Sequence, residues 1–134
     1  MSSTGEDLAR LREALSDGQL EQVCRQHGVA LCVLHGSALT EVEPGDIDLA
    51  VAWAEPTGHD LVALIGSLMD VVGDSVDIMD LHRAGPVAAQ RALTRGELLV
   101  QVVPGSYATW QMRAMRDFMD TQRFRDTQLA VYAQ

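Results

Sequence analysis

Short apolar runs typical of β-strands alternate with stretches of helical periodicity along the sequence. The clearest run is VALCVL at residues 29–34, which has the continuous apolar character of a strand buried on both faces. Further strand patterns occur at residues 46–53, 75–81 and 97–103. Helical patterns occur at residues 7–16, 19–27, 59–72 and 86–95, and from residue 107 to the C-terminus. This order predicts an α/β (α+β) fold in which a small mixed sheet of about four strands is flanked by helices.

The length of 134 residues fits a single domain. A chain of this size buries roughly two-thirds of its unfolded surface, which is enough for a self-sufficient core. We expect one domain over residues 1–134, with N-terminal helices over residues 1–28, a sheet core over residues 29–103 and a C-terminal helix over residues 104–134.

The charge of the chain limits the partners that it can have. The formal net charge is -9, and an acidic surface repels a phosphate backbone, so we expect no general nucleic-acid binding. The same charge favours a basic protein partner or a site that concentrates metal cations. The sequence contains no lysine, which excludes a Walker-type phosphate lysine and a Schiff-base lysine. Any side-chain cation that contacts a phosphate must therefore be an arginine.

The N-terminal segment, MSSTGEDLARLREAL, is polar and acidic, and it lacks the basic start and the apolar centre of a signal peptide. No apolar run in the sequence has the length that a membrane span requires. We therefore expect a cytoplasmic protein without membrane contact. The two cysteines, Cys24 and Cys32, lack the spacing of a zinc knuckle or a CxxC redox pair, so we expect reduced and buried thiols.

The stretch that carries chemistry is LHGSALTEVEPGDIDLAV at residues 34–51. Gly36 follows the buried strand, where a residue without a side chain lets the backbone approach a ligand closely. Ser37 adds a hydroxyl and a backbone N–H, and a helical turn that begins there would direct more free N–H groups at the same place. The sequence therefore predicts a phosphate-binding position at Gly36 and Ser37. EVEPG at residues 41–45 has the composition of a turn.

Asp46 and Asp48 are two residues apart in a strand pattern, so their side chains share one face roughly 6–7 Å apart. Two carboxylates on one face repel each other unless a cation lies between them. Mg²⁺ prefers hard oxygen ligands, and it is often held by one or two carboxylates together with substrate phosphates. A lone DxD pair is common on solvated strands, so the metal interpretation depends on the residues that precede and follow it.

Asp77 is a third carboxylate in a strand pattern, VDIMD at residues 76–80, where it alternates with Val76 and Ile78. If this strand neighbours the strand of Asp46 and Asp48, the two backbones are about 4.8 Å apart and Asp77 faces the same metals. A third carboxylate can bind the first metal of a two-metal site, or it can accept the proton of an attacking hydroxyl. Both roles fit the sequence.

The combination of GS, a short spacer, DID followed by LAV, and a later VDIMDLHRAG resembles the minimal nucleotidyltransferase (MNT) family of the polymerase-β superfamily. The resemblance covers most of the chain from residue 29 onward, because the helix after Pro86, the RGELLVQ segment and the C-terminal RDF helix look like the usual tail of these proteins. It implies a nucleotidyltransferase fold, Mg²⁺ as cofactor, and ATP or another nucleoside triphosphate as substrate.

The resemblance also implies a role for each matching residue. Gly36 and Ser37 correspond to the phosphate-binding motif. Asp46 and Asp48 correspond to the two catalytic metal ligands, and Asp77 corresponds to the third carboxylate, which is catalytic and metal-binding. Many family members of this size are antitoxins that silence a HEPN-domain ribonuclease toxin by transferring AMP to a tyrosine. The resemblance therefore implies a protein adenylyltransferase that forms a hetero-oligomer with such a toxin.

The spacer between Ser37 and Asp46, ALTEVEPG, departs from the family pattern because it is slightly shorter and has no cation after GS. Glu41 and Glu43 also add negative charge near the expected triphosphate. These departures favour an alternative, in which the protein is a catalytically weak antitoxin that neutralises its toxin by binding. A small-molecule nucleotidyltransferase is a further alternative, although such enzymes usually need a second domain to hold the acceptor.

Three other features have structural interpretations. Asp80 is expected near the end of its strand, where it caps the following turn. The histidines have no mutual metal-ligand spacing, and Arg83 is expected to be solvated. The C-terminal helix has apolar positions at the three-four spacing of a face that packs in the core or in a subunit interface. These positions are Trp110, Ala114, Met115, Phe118 and Met119.

Overall fold

The structure is a computed structural model that describes residues 3–40 and 45–132. The helices in these residues are α1 (Thr4–Ser16), α2 (Gln19–Gln26), α3 (Ser37–Thr40), α4 (Leu61–Val71), α5 (Pro86–Arg95) and α6 (Ser106–Tyr132). The strands are β1 (Val29–His35), β2 (Ile47–Trp53), β3 (Val76–Asp80) and β4 (Glu97–Gln101). The predicted α/β class and the four strands are confirmed. The turn predicted at residues 41–45 lies, except for Gly45, outside the described residues.

The four strands form one mixed sheet with the order β3-β2-β1-β4. Strand β1 pairs antiparallel with β2 and with β4, whereas β2 pairs parallel with β3. A parallel pair needs a crossover connection, and α4 lies in the connection between β2 and β3. The two acidic strands are neighbours, and Asp48 and Asp77 are register partners, so the condition under which Asp77 can join the other two carboxylates is met.

Helices cover both faces of the sheet, which explains the continuous apolar character of β1 and β2. One face packs against α1, α2 and α4 through a core that includes Leu11, Leu34 and Leu64. The other face packs against α5 and α6 through a second core that includes Val33 and Leu93. Alternate residues of the central strands therefore enter different cores, and neither face of these strands is open to water.

The helix ends follow the capping residues. Helix α1 begins at Thr4, one turn earlier than predicted, because the Ser3 side chain accepts a hydrogen bond of 3.1 Å from the backbone N–H of Glu6. Helix α4 begins after Asp60, whose carboxylate accepts a hydrogen bond from the backbone N–H of Ala63 at 3.1 Å. Helix α2 ends just before Gly28, whose φ of 71° is the left-handed conformation typical of a helix C-terminus.

The predicted apolar face of the C-terminal helix packs in the core only over the first half of the helix, and its alternative role in a subunit interface stays a prediction. Ala114 is buried and Trp110 is half-buried, but Met115 and Met119 are 40% and 63% exposed. The reason is length, since the 27 residues of α6 span about 40 Å, whereas a seven-residue strand spans about 23 Å. The helix therefore extends beyond the sheet that its first half covers.

Both cysteines, Cys24 and Cys32, are buried and form no disulfide, as expected. Across the parts of the chain that the structure describes, no helix has both the length and the apolar composition for a membrane crossing.

Candidate functional site

Three carboxylates meet at the end of the sheet where β2 begins. Asp48 and Asp77 are register partners on the neighbouring strands β2 and β3, and Asp46 directly precedes β2. One carboxylate oxygen from each of these residues lies within 4.8 Å of the other two. Within residues 3–40 and 45–132, no other group of three or more acidic, histidine or cysteine side chains has this geometry. The structure thus brings together all three carboxylates that the sequence singled out.

The two-residue period of the strands determines which way these carboxylates face. Ile47 and Leu49 are buried in the core beneath α1, α2 and α4, so Asp48 between them lies on the opposite face of the sheet. Val76 and Ile78 pack against the same core and direct Asp77 to that opposite face. The apolar residues of both strands therefore hold the carboxylates side by side.

The cluster concentrates negative charge that the described part of the protein does not neutralise. Asp48 is half-buried, and this burial raises its pKa. The nearby charges of Asp77 and Asp46 raise the pKa further, while His35 lowers it. No described residue donates a hydrogen bond to any of the three carboxylates. Three clustered oxygen donors with free acceptor positions fit the hard, oxygen-rich coordination that Mg²⁺ prefers.

His35 lies next to the cluster at the end of β1, where it is the register partner of Asp48. Burial lowers the pKa of His35, and the neighbouring Asp48 and Asp77 only partly oppose this effect. Its Nε2 atom is buried and has no hydrogen-bond partner among the described residues. The imidazole therefore favours its neutral form beside three carboxylates. Sequence reasoning assigned it no role, because a single histidine after a strand has no ligand spacing.

Two features favour glycine at position 36, its backbone conformation and the nearby carboxylate of Asp48. Its φ of 76° is a left-handed conformation that L-residues with side chains rarely adopt. A Cβ atom at this position would overlap the carboxylate of Asp48. The absence of a side chain at Gly36 thus makes room for the Asp48 carboxylate, and the predicted approach of a ligand to this backbone stays a prediction. Ser37 is the first residue of the short helix α3. Its role in phosphate binding stays a prediction.

A cavity of about 350 Å³ adjoins the cluster at His35 and Gly36. Its far wall is formed by α5, which contributes Arg91 and Arg95. The remaining lining residues are Leu39, Thr40, Met79, Ala88 and Ala92. Sequence reasoning missed the two arginines as site residues, although their spacing of one helical turn is a signal that they share a helix face.

A larger cavity of about 420 Å³ lies elsewhere, between residues 25–28 and residues 55–60. It contains none of the carboxylates or phosphate-motif residues. The smaller cavity differs from it in being lined by Gly36, a residue of the predicted phosphate-binding position, and by His35 next to the cluster.

Comparisons with known proteins agree with this geometry. The family model described as polymerase beta nucleotidyltransferase matches residues 18–104, which include all five site residues predicted from the sequence. Among curated protein sequences, none matches the chain.

Several solved structures are similar to the chain. A toxin–antitoxin structure with AMP-PNP is 22% identical, covers 87% of this chain and 98% of its own, and has a TM-score of 0.70. The toxin–antitoxin MntA-HepT is 22% identical over 90% of this chain and 98% of its own, with a TM-score of 0.68. A tri-AMPylated Shewanella oneidensis HEPN toxin in complex with MNT antitoxin has the same identity, coverage and TM-score. These values establish a shared fold. The family model confirms the nucleotidyltransferase resemblance seen in the sequence.

Proposed function

The chain belongs to the polymerase beta nucleotidyltransferase family, and from this premise we propose that it is a Mg²⁺- and ATP-dependent nucleotidyltransferase that acts as an antitoxin. It transfers AMP to a hydroxyl group of a HEPN-type ribonuclease toxin, and this hydroxyl belongs to a tyrosine. The observation that carries the proposal is the cluster of Asp46, Asp48 and Asp77 beside Gly36. Solved structures of the same fold, one with AMP-PNP and one with an AMPylated HEPN toxin, support the nucleotide and the acceptor class.

Asp46, Asp48 and Asp77 are the residues that hold Mg²⁺ in this proposal. The ion, when bound, supplies positive charge to the triphosphate and to the departing pyrophosphate. The fit rests on the donor set, because the three carboxylates offer hard oxygen ligands and accept no hydrogen bond from a described residue. Bringing three like charges together is unfavourable for the isolated protein, and a bound cation reverses that penalty.

The other residues position the reactants. The Ser37 hydroxyl and the backbone at Gly36 hold phosphate oxygens of ATP. The acceptor oxygen forms a bond with the α-phosphorus, while the bond from the α-phosphorus to the oxygen that leads to the β-phosphate breaks. Pyrophosphate leaves, and the proton of the acceptor hydroxyl passes to the carboxylate of Asp77. Asp77 suits this role because it is exposed, whereas Asp48 is half-buried, so an acceptor on another protein can reach it.

The charge of the chain agrees with a protein acceptor. The net charge of -9 attracts a partner with a basic surface and speeds the encounter between them. The described helix α3 after Gly36 carries no cation, which is the observation that favours the second candidate function. In that candidate, the protein neutralises its toxin by binding alone.

The test is an AMP-transfer assay with a HEPN-type toxin as acceptor, Mg²⁺, and ATP labelled in the α-phosphate. We expect the wild-type protein to label the toxin and to release pyrophosphate. The variant Asp46→Asn/Asp48→Asn should still bind the toxin but should neither label nor neutralise it. A matched control, Asp70→Asn/Asp74→Asn, removes the same charge at two exposed positions outside the cluster and should behave like the wild type.

Two outcomes would contradict the catalytic proposal. Labelling by Asp46→Asn/Asp48→Asn at the wild-type rate would show that these carboxylates are not the site. Neutralisation by the same variant without labelling would favour the antitoxin that acts by binding.

A further inference from the structure

We propose that Arg91 and Arg95 of α5 bind the terminal phosphates of ATP and supply the positive charge that the segment after Gly36 lacks. The inference rests on the proposed nucleotidyltransferase function and identifies which residues recognise the triphosphate. Its starting point is the cavity of about 350 Å³ that both arginines line together with Gly36.

The cavity adjoins the carboxylate cluster through two residues that neighbour Asp48. His35 and Gly36 line it, His35 is the register partner of Asp48, and Gly36 is in close approach to the Asp48 carboxylate. A nucleotide whose α-phosphate lies at the carboxylates can therefore extend its β- and γ-phosphates past Gly36 into this cavity. A volume of this size accommodates a small ligand or a part of one.

The two arginines are placed to act together. They are four residues apart in α5, so they lie one turn apart on the same face of the helix. Ala88 and Ala92 line the same cavity from α5, and their short side chains leave room beside the guanidinium groups. Arginine presents several N–H donors in a planar fork, which matches the oxygens of a phosphate in a bidentate arrangement.

No described residue occupies the guanidinium groups of Arg91 and Arg95, so these groups can bind a ligand. Arg12 forms a bidentate contact with Glu97, with distances of 2.6 and 2.9 Å. In contrast, Arg91 and Arg95 are exposed and form no ion pair or hydrogen bond with a residue in the described parts of the chain. Their charge is thus not already used by a carboxylate of those parts.

Side-chain cations for the terminal phosphates have to come from an element other than α3. The described residues of α3 carry none, the cluster contributes three carboxylates, and the chain contains no lysine. Arg95 in the last turn of α5 also interacts favourably with the helix dipole. That interaction does not account for Arg91, which is one turn further from the helix end and lines the same cavity.

The test compares ATP with AMP, because only ATP has the terminal phosphates. Mg²⁺-dependent binding of each nucleotide is measured by calorimetry for the wild type and for Arg91→Gln/Arg95→Gln. We expect the variant to bind ATP on the order of 10–100-fold more weakly, since charge-assisted hydrogen bonds to phosphate are lost. Its affinity for AMP should change by less than about threefold. Its thermal midpoint should fall by no more than a few degrees, because neither side chain has a partner among the described residues and only the interaction of Arg95 with the helix dipole is lost.

Two further variants complete the experiment. Arg83→Gln/Arg116→Gln removes the same charge at exposed positions outside the cavity, and it should bind ATP as the wild type does. Asp46→Asn/Asp48→Asn should lose Mg²⁺-dependent ATP binding.

The possible failures are distinguishable. Unchanged ATP affinity in the α5 variant, with loss in the aspartate variant, would overturn the arginine assignment and leave the proposed function intact. Equal weakening of ATP and AMP, or equal weakening by the control arginine pair, would overturn recognition of the terminal phosphates. Absence of ATP binding by the wild type would overturn the proposed function, and this inference with it.

Discussion

Strand β3 carries an aspartate near each end, and the two aspartates have opposite surroundings. Asp77 is exposed, lies against two other carboxylates and accepts no hydrogen bond from a described residue. Asp80 is half-buried, and it accepts hydrogen bonds from Nε1 of Trp53 at 3.2 Å and from the backbone N–H of His82 at 2.9 Å. The prediction that Asp80 caps the turn after its strand is confirmed.

The difference separates a structural carboxylate from one that is available for chemistry. The acceptor positions of Asp80 are occupied by protein donors, so this side chain stabilises the fold and has little capacity for a cation. No donor from residues 3–40 or 45–132 occupies the acceptor positions of Asp77, and the charges of Asp46 and Asp48 repel its own. The segment VDIMD alone does not reveal this contrast, because the donors and the repelling charges come from other elements of the fold.

Replacing Asp77 and Asp80 in separate variants tests the contrast most directly and has the largest expected effect. Asp77→Asn should lower AMP transfer on the order of 100-fold or more, because the acceptor hydroxyl loses its base. Asp80→Ala should leave the transfer rate of the folded protein nearly unchanged but lower the free energy of unfolding by about 1.5–3 kcal/mol, because two donors lose a charged acceptor. The measurements are the labelling assay and urea denaturation. Loss of transfer in folded Asp80→Ala would contradict the division of roles.

A comparison of Gly36→Ala with Gly28→Ala has an expected effect of intermediate size. Both glycines have left-handed φ values, 76° and 71°, so alanine should destabilise the fold at either position by about 1–2 kcal/mol. Only at Gly36 does the added Cβ overlap the Asp48 carboxylate, whereas at Gly28 nothing lies within 4 Å. We therefore expect Gly36→Ala alone to weaken Mg²⁺-dependent ATP binding, by about tenfold or more. Equal nucleotide affinities of the two variants by calorimetry would show that Gly36 matters only for backbone conformation.

The smallest effect concerns the repulsion within the cluster. Asp48 and Asp77 lie directly opposite each other, and like charges in such pairs are destabilising by about 0.2–1 kcal/mol. Without metal, Asp48→Asn should therefore be more stable than the wild type at neutral pH by about this amount. The measurement is urea denaturation with a chelator present.

The pH dependence of that difference follows from the raised pKa of Asp48. Between the ordinary aspartate pKa and this raised pKa, the folded state binds more protons than the unfolded state, so the stability of the wild type falls as pH rises. The stability gained by Asp48→Asn should thus be absent at pH values below the ordinary pKa and complete above the raised one. A constant difference over the whole pH range would contradict repulsion as its cause.

Much of the fold and of the candidate site could be predicted from the sequence because both depend on how apolar residues repeat along each strand and helix. The alternation of Ile47, Asp48 and Leu49, repeated around Asp77, determines which face each carboxylate takes. Helix α5 was predicted with its observed bounds, since Pro86 and Gly96 mark its ends. The metal-binding and phosphate-binding roles of the site residues stay predictions.

Other features depend on tertiary packing that no local pattern encodes. Arg91 and Arg95 line the cavity only because α5 docks against the face of the sheet that bears the carboxylates. Likewise, the partners of Asp80 are the Trp53 indole from β2 and the backbone of the turn after β3. Met119 is exposed because α6 extends beyond the sheet before this residue. Helical periodicity does not predict where that happens.

Both tryptophans of the chain lie at the end of β2 that is remote from the cluster. Trp53 is about 17 Å along the strand from Asp48, it stacks on His59 at 4.4 Å, and Trp110 contacts His82 edge-to-face at 4.7 Å. The tryptophan fluorescence of the protein therefore originates from the end of the sheet away from the carboxylates, where each indole ring contacts an imidazole ring. It is an optical reporter of folding that is spatially separated from the carboxylate cluster.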